Sequence, residues 1–277
     1  MSMVARALLV GWSLVGFMLA PQPAFSQTQF SDSGNTAADI TDQVDAFRNA
    51  LGPLNTPGGR RQVVWDGVSD VDAVPMPFDR FSGAGALFLP GPGGTSVQVS
   101  LNDPDDPNTP DGVSQFADLQ PGYQQIFQPF SGDQIFTAIG TNVVEVQFVV
   151  PGTLTPGLTK GLGVVFSDVD LANTTSIELF GPTNQSLGVF DVPAAPGNET
   201  FSFLGLLYPN AIISRALITN GNFELAPNFS DGTDLVATDD FIFGTPVQVP
   251  EPSTWLALLA GLAGLVALRR KHLSSST

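Results

Sequence analysis

The spacing of hydrophobic positions changes along the chain, and the changes divide it. Residues 7–20 form a 14-residue apolar run closed by Pro21 and Pro23, and residues 27 to about 35 are polar and read as a disordered lead-in. Ile40, Val44, Phe47 and Leu51 then recur at intervals of 4, 3 and 4, one stripe of an α-helix, which predicts a helix over 39–51. Thr36 or Asp39 caps its start and Gly52-Pro53 ends it. After Pro57-Gly58-Gly59 the period falls to two. Val144, Val146, Phe148 and Val150 alternate with Glu145, Gln147 and Val149, giving one buried and one mostly polar face. Runs of this kind predict strands at 62–65, 86–89, 96–101, 134–138, 143–150, 163–167, 176–180, 186–192, 200–204, 211–219 and 241–243. A second apolar run, 255–268, lies near the C-terminus.

About eleven short strands without interspersed helices predict a mainly β fold, an antiparallel sandwich of jelly-roll or lectin-like type with one N-terminal helix. The domain plan is 1–26 signal peptide, 27–58 helical extension, 59–248 β-sandwich and 249–273 C-terminal signal with a transmembrane helix over 255–268. Composition agrees. Charged residues are 13% of the chain, about half the usual share, while 29 Gly and 23 Pro suit tight turns. The 21 Phe argue for a buried core over disorder.

Charge and chemistry narrow the function. Between residues 27 and 250 lie six basic and 25 acidic residues, a net charge of −19, which repels nucleic acid and attracts divalent cations. There is no cysteine, so the fold stands without disulfides. The single histidine, His272, lies in the C-terminal tail, which leaves the body without a Ser-His-Asp or Cys-His system, a histidine-ligated zinc or a histidine base.

The two ends are export signals. Arg6, the apolar run and Ala24-Phe25-Ser26 make a signal peptide cleaved before Gln27, since 14 residues fall short of the roughly 20 needed to span a membrane. At the other end Val249-Pro250-Glu251-Pro252 precedes Trp255, the apolar run and Arg269-Arg270-Lys271. The prolines keep Glu251 in extended chain, Trp255 suits the membrane interface, and the basic stop stays cytoplasmic. That order resembles the PEP-CTERM sorting signal of exported proteins in Gram-negative, exopolysaccharide-producing bacteria. The resemblance implies an exosortase-type membrane enzyme as partner, a membrane-anchored intermediate and a final place at the cell surface or in the matrix. The cadence of Val165 to Asp170, Phe203-Leu204-Gly205 and Asp239 to Gly244 also looks like the jelly-roll ectodomains attached to such tails.

Carboxylate clusters are the candidate sites in the body. Asp103, Asp105 and Asp111 sit in a proline-stiffened loop that either wraps a Ca²⁺ ion or forms a solvated turn. Asp168 and Asp170 share a spacing that puts both carboxylates on one strand face. They join Asp239 and Asp240 in one Ca²⁺ site if the last strand pairs beside theirs; otherwise they form turns. Glu145, Glu178, Glu199 and Glu224, the body's glutamates, occupy no recognisable hydrolase motif. Trp65, Tyr123 and Tyr208 are its few rings able to stack on a sugar, and Trp65 reads as core. The expected function is a non-enzymatic surface or matrix protein associated with exopolysaccharide. A carbohydrate-binding module and a carboxylate-based hydrolase are the alternatives.

Overall fold

The computed structural model describes residues 26–66, 68, 79–100, 115–226 and 232–249. Fourteen strands and one α-helix lie among them, in chain order β1 (Thr28–Gly34), α1 (Ala37–Leu51), β2 (Arg60–Val63), β3 (Ala86–Pro90), β4 (Ser96–Val99), β5 (Phe136–Ile139), β6 (Val143–Phe148), β7 (Gly157–Leu158), β8 (Gly161–Ser167), β9 (Ser176–Phe180), β10 (Ser186–Asp191), β11 (Phe201–Leu207), β12 (Arg215–Thr219), β13 (Ala237–Gly244) and β14 (Val247–Gln248). One antiparallel sheet runs β1-β11-β8-β13-β5-β4, with β2 also on β13; the second runs β10-β9-β12-β6-β3; β14 and β7 pair by themselves. The structure is therefore mainly β with antiparallel sheets and a helix, and neither sheet closes into a barrel.

The alternation in β6 does what its period requires. Val144, Val146 and Phe148 are buried between the sheets, and Val143, Glu145 and Gln147 face outward. Ile177 and Leu179 of β9 and Ala216 and Ile218 of β12 join them from the same sheet. Leu162, Val164 and Phe166 of β8, Leu204 and Leu206 of β11, and Phe241 and Phe243 of β13 meet them from the other. Trp65 fills the middle. Its ring stacks on Phe136 at 3.9 Å between centroids, and its indole N–H donates to the Asp239 carbonyl at 2.7 Å.

β8, β11 and β13 are buried almost throughout because α1 covers their outer face. Ile40, Val44, Phe47 and Leu51, the predicted stripe, pack there on Val165, Phe201, Phe203 and Ile242. The helix can approach because Gly163 and Gly205 are paired across β8 and β11 beneath Phe47. A Cβ at Gly163 would stand 2.6 Å from the Phe47 ring, and one at Gly205 would stand 2.8 Å from it. The helix starts two residues earlier than the stripe predicts, at Ala37. Thr36 donates its N–H and its hydroxyl to the Asp39 carboxylate at 2.8 and 2.9 Å, and its carbonyl accepts the Asp39 amide at 3.0 Å, which ties the helix start.

Two expectations are corrected. The polar segment taken as a disordered lead-in is strand β1, paired over its whole length with β11. Its main chain supplies the bonds, and its one large apolar side chain, Phe30, packs edge-on against Phe47 at 5.5 Å. The strand expected over 211–219 starts only at Arg215, because the Ile212 and Ile213 amides turn back to the Thr159 carbonyl. No helix among the described residues is long and apolar enough to cross a membrane; the run 255–268 lies outside them.

Candidate functional site

The predicted neighbours do meet: β13 pairs beside β8, with Ala237 opposite Ser167. The four aspartates nevertheless divide into two groups. Between Thr238 and Phe241 the register slips, three steps on β13 facing two on β8, and the extra residue turns Asp239-Asp240 away from the end of β8.

Asp240 faces α1. One carboxylate oxygen accepts from Arg48 at 2.9 Å and from Gln62 at 2.7 Å, and the other from the Ser131 hydroxyl at 2.6 Å. Asp239 accepts from the Phe130 and Ser131 amides through Oδ2, while its Oδ1 is buried without a partner. Burial, then the Asp240 charge, pushes Asp239 well above the usual carboxylate range. Burial also raises Asp240, against the opposing pull of Ser131 and Arg48. The group joins β13, α1, β2 and the 130–131 segment, and Asp239 and Asp240 are closed to solvent.

Asp168 and Asp170 meet a residue that the sequence did not single out, Asp234. Its Oδ1 accepts the Asp170 amide at 2.9 Å and its Oδ2 the Thr174 hydroxyl. Asp170 accepts the Gly197 amide at 2.6 Å. Asp168 has left-handed backbone, φ +71°, and is 3% exposed, with Oδ1 unpartnered. Burial first, then the charges of Asp170 and Asp234, push its carboxyl up to about 8. One Asp170 oxygen and both Asp234 oxygens are taken by backbone and hydroxyl donors. Among the described residues no group of three or more His, Cys, Asp or Glu is arranged to hold a metal ion. Asp103, Asp105 and Asp111 lie outside the described residues.

An open cleft of about 470 Å³ lies at the N-terminal end of α1. Asn35, Thr36, Gln128, Asn198 and Glu199 line it, with Phe201 beneath. Gln128 donates to the Glu199 carbonyl at 2.8 Å, and Asn198 donates to the Gln125 carbonyl at 2.8 Å. Amides and one carboxylate can hold hydroxyls. Trp65, Tyr123 and Tyr208 are all buried and offer no stacking face there. Sequence reasoning passed over the cleft because its residues come from three separate segments of unremarkable polar chain.

At the opposite end of β13 the chain runs through Thr245 and Pro246 into β14, which pairs Val247 with Leu158 and Gln248 with Gly157. Val249 is the last described residue before Pro250, Glu251 and Pro252; these three and Arg269, Arg270 and Lys271 lie outside the described residues.

No curated protein matches the chain. Among solved structures, the enzymatically active domain of bacteriophage CBA120 tailspike protein 4 matches at 15% identity, over 64% of this chain and 22% of that one, with a TM-score of 0.28. A likeness of that size carries no argument. Residues 248–271 match the PEP-CTERM protein-sorting motif, and the chain therefore carries the signal of an exported protein held at a membrane and processed by an exosortase-type enzyme.

Proposed function

We propose that the protein is a non-enzymatic surface or matrix component of a Gram-negative cell, associated with exopolysaccharide, and that its body is a jelly roll carried there by the C-terminal signal. The sorting motif is the observation that carries this reading. The strand order supports the fold: β5-β13-β8-β11 in one sheet and β6-β12-β9-β10 in the other is the order produced by two interleaved Greek keys. Asp239 and Asp240 are buried within a hydrogen-bonded group, and Glu199 is the one carboxylate among the residues that line the cleft.

A dedicated carbohydrate-binding role is the second reading, favoured by the polar cleft beside Phe201. Co-sedimentation of the mature protein with its own cell's exopolysaccharide tests both. Association that survives Glu199→Ala supports a matrix role spread over the surface. Association lost in Glu199→Ala assigns the binding to the cleft. No association in the wild type would sink both readings.

A further inference from the structure

The folded body reaches almost to the processing site. Beyond β13, Thr245 donates its amide to the Gly59 carbonyl at 2.9 Å and its hydroxyl to the Thr56 carbonyl at 2.8 Å. Pro246 lies close over Gly85 and Gly157, where a Cβ would fall 2.9 and 3.2 Å from its ring. Then β14 adds the Val247–Leu158 and Gln248–Gly157 pairs. The sorting motif begins at residue 248, so the ladder and the motif share Gln248, and only Val249 stands between the ladder and Pro250.

That spacing is too short for an enzyme working on a docked substrate. Extended chain advances at most about 3.3–3.6 Å per residue, so Pro250 can lie no more than about 7 Å from Gln248. An enzyme that takes a peptide in extended form surrounds several residues on each side of the bond it cuts, through main-chain hydrogen bonds of the kind an added strand makes. Here the residues on the N-terminal side are Val247, Gln248 and Val249, and the first two are hydrogen-bonded to the body.

We propose that β14 is a releasable part of the processing substrate: the enzyme receives the Pro250-Glu251-Pro252 segment only after Val247 and Gln248 have peeled from β7. The inference rests on the reading that this segment is where processing occurs. The ladder is suited to release. It is two residues long on both strands, stands apart from the two main sheets, and leaves Val247 48% exposed. A pairing that short is marginal in water. Peeling back to Pro246 doubles the free reach to Pro250 from two residue steps to four, about 14 Å. Pro246 and Thr245 then hold, because their anchors belong to the body.

The chain has no cysteine, so a disulfide between Val247→Cys and Leu158→Cys would be its only one. In the exporting cell, the full-length double variant in its oxidised state should mature at least about ten-fold more slowly than wild type. Either single variant should mature at the wild-type rate, and adding reductant should restore the double variant. Inserting six Gly/Ser residues after Val249 should let the oxidised double variant mature at the normal rate, because reach is then supplied without release. Normal maturation of the oxidised double variant would overturn the inference while leaving the sorting reading intact. So would a block that the insertion does not relieve. A wild-type chain that is never shortened would overturn the sorting reading itself.

Discussion

Replacing Asp168 by Asn should stabilise the protein far more at pH 8 than at pH 5. The carboxyl is 3% exposed, its Oδ1 has no partner, and Asp170 and Asp234 stand beside it. These causes raise it from 3.8 to about 8. Below pH 3.8 it is neutral in both folded and unfolded chains, and its burial carries no charge. Between 3.8 and 8 the unfolded chain ionises while the folded chain keeps its proton, so stability falls as pH rises and levels off above the folded value. At 1.36 kcal/mol per unit, the loss between pH 5 and pH 8 is about 4 kcal/mol. Asn cannot ionise, has the same shape, and tolerates the left-handed backbone at this position. Urea unfolding of wild type and variant at both pH values, at constant ionic strength, reads the effect, since groups that do not interact with Asp168 cancel in the difference. The variant's advantage should grow by about 4 kcal/mol from pH 5 to pH 8. Growth below about 1 kcal/mol would mean instead that the carboxylate is solvated or neutralised by a bound cation.

Two further predictions concern how α1 is held. Phe47→Ala should cost about 3–5 kcal/mol in urea unfolding. Gly205→Val should also destabilise, but adding it to Phe47→Ala should cost less than in wild type, because the nearer of the two rings it meets, Phe47 before Phe203, is gone; simple additivity would contradict the slot. Arg48→Ala should cost about 3–5 kcal/mol by leaving the Asp240 carboxylate buried without its cation, and Asp240→Asn in the same chain should recover part of that. No recovery would mean that the Arg48 contribution is packing alone.

The sheets were legible in the sequence wherever one strand face was buried and the other wet. β6, β9 and β12 carry that alternation in their own residues. β8 and β13 showed only as apolar runs, because the helix covers the face that would otherwise have been polar. β1 was invisible for the opposite reason: an edge strand held by main-chain bonds needs little apolar surface, and Phe30 alone gives no period. The acidic groups were legible as clusters but not as arrangements. One extra residue in β13 turns Asp240 toward Arg48 and leaves Asp239 to the Phe130 and Ser131 amides, and nothing local in the sequence announces that slip. Asp234 reaches Asp170 from 64 positions away, and its spacing from Asp231 gives no hint of that partner. Arg48 did leave a trace, as the one basic residue on an otherwise acidic helix, next to its buried stripe.

The C-terminal segment, as proposed, is a signal which is read and removed. Intact-mass measurement of the protein recovered from the cell surface or matrix tests it directly. In wild type the mass should end near Pro250-Glu251-Pro252, without the apolar run 255–268 and the basic stop. With Pro250, Glu251 and Pro252 all changed to Ala, the chain should keep that run and stay in the membrane fraction. A surface form that still extends to Thr277, or a triple variant that matures at the wild-type mass and rate, would contradict the account.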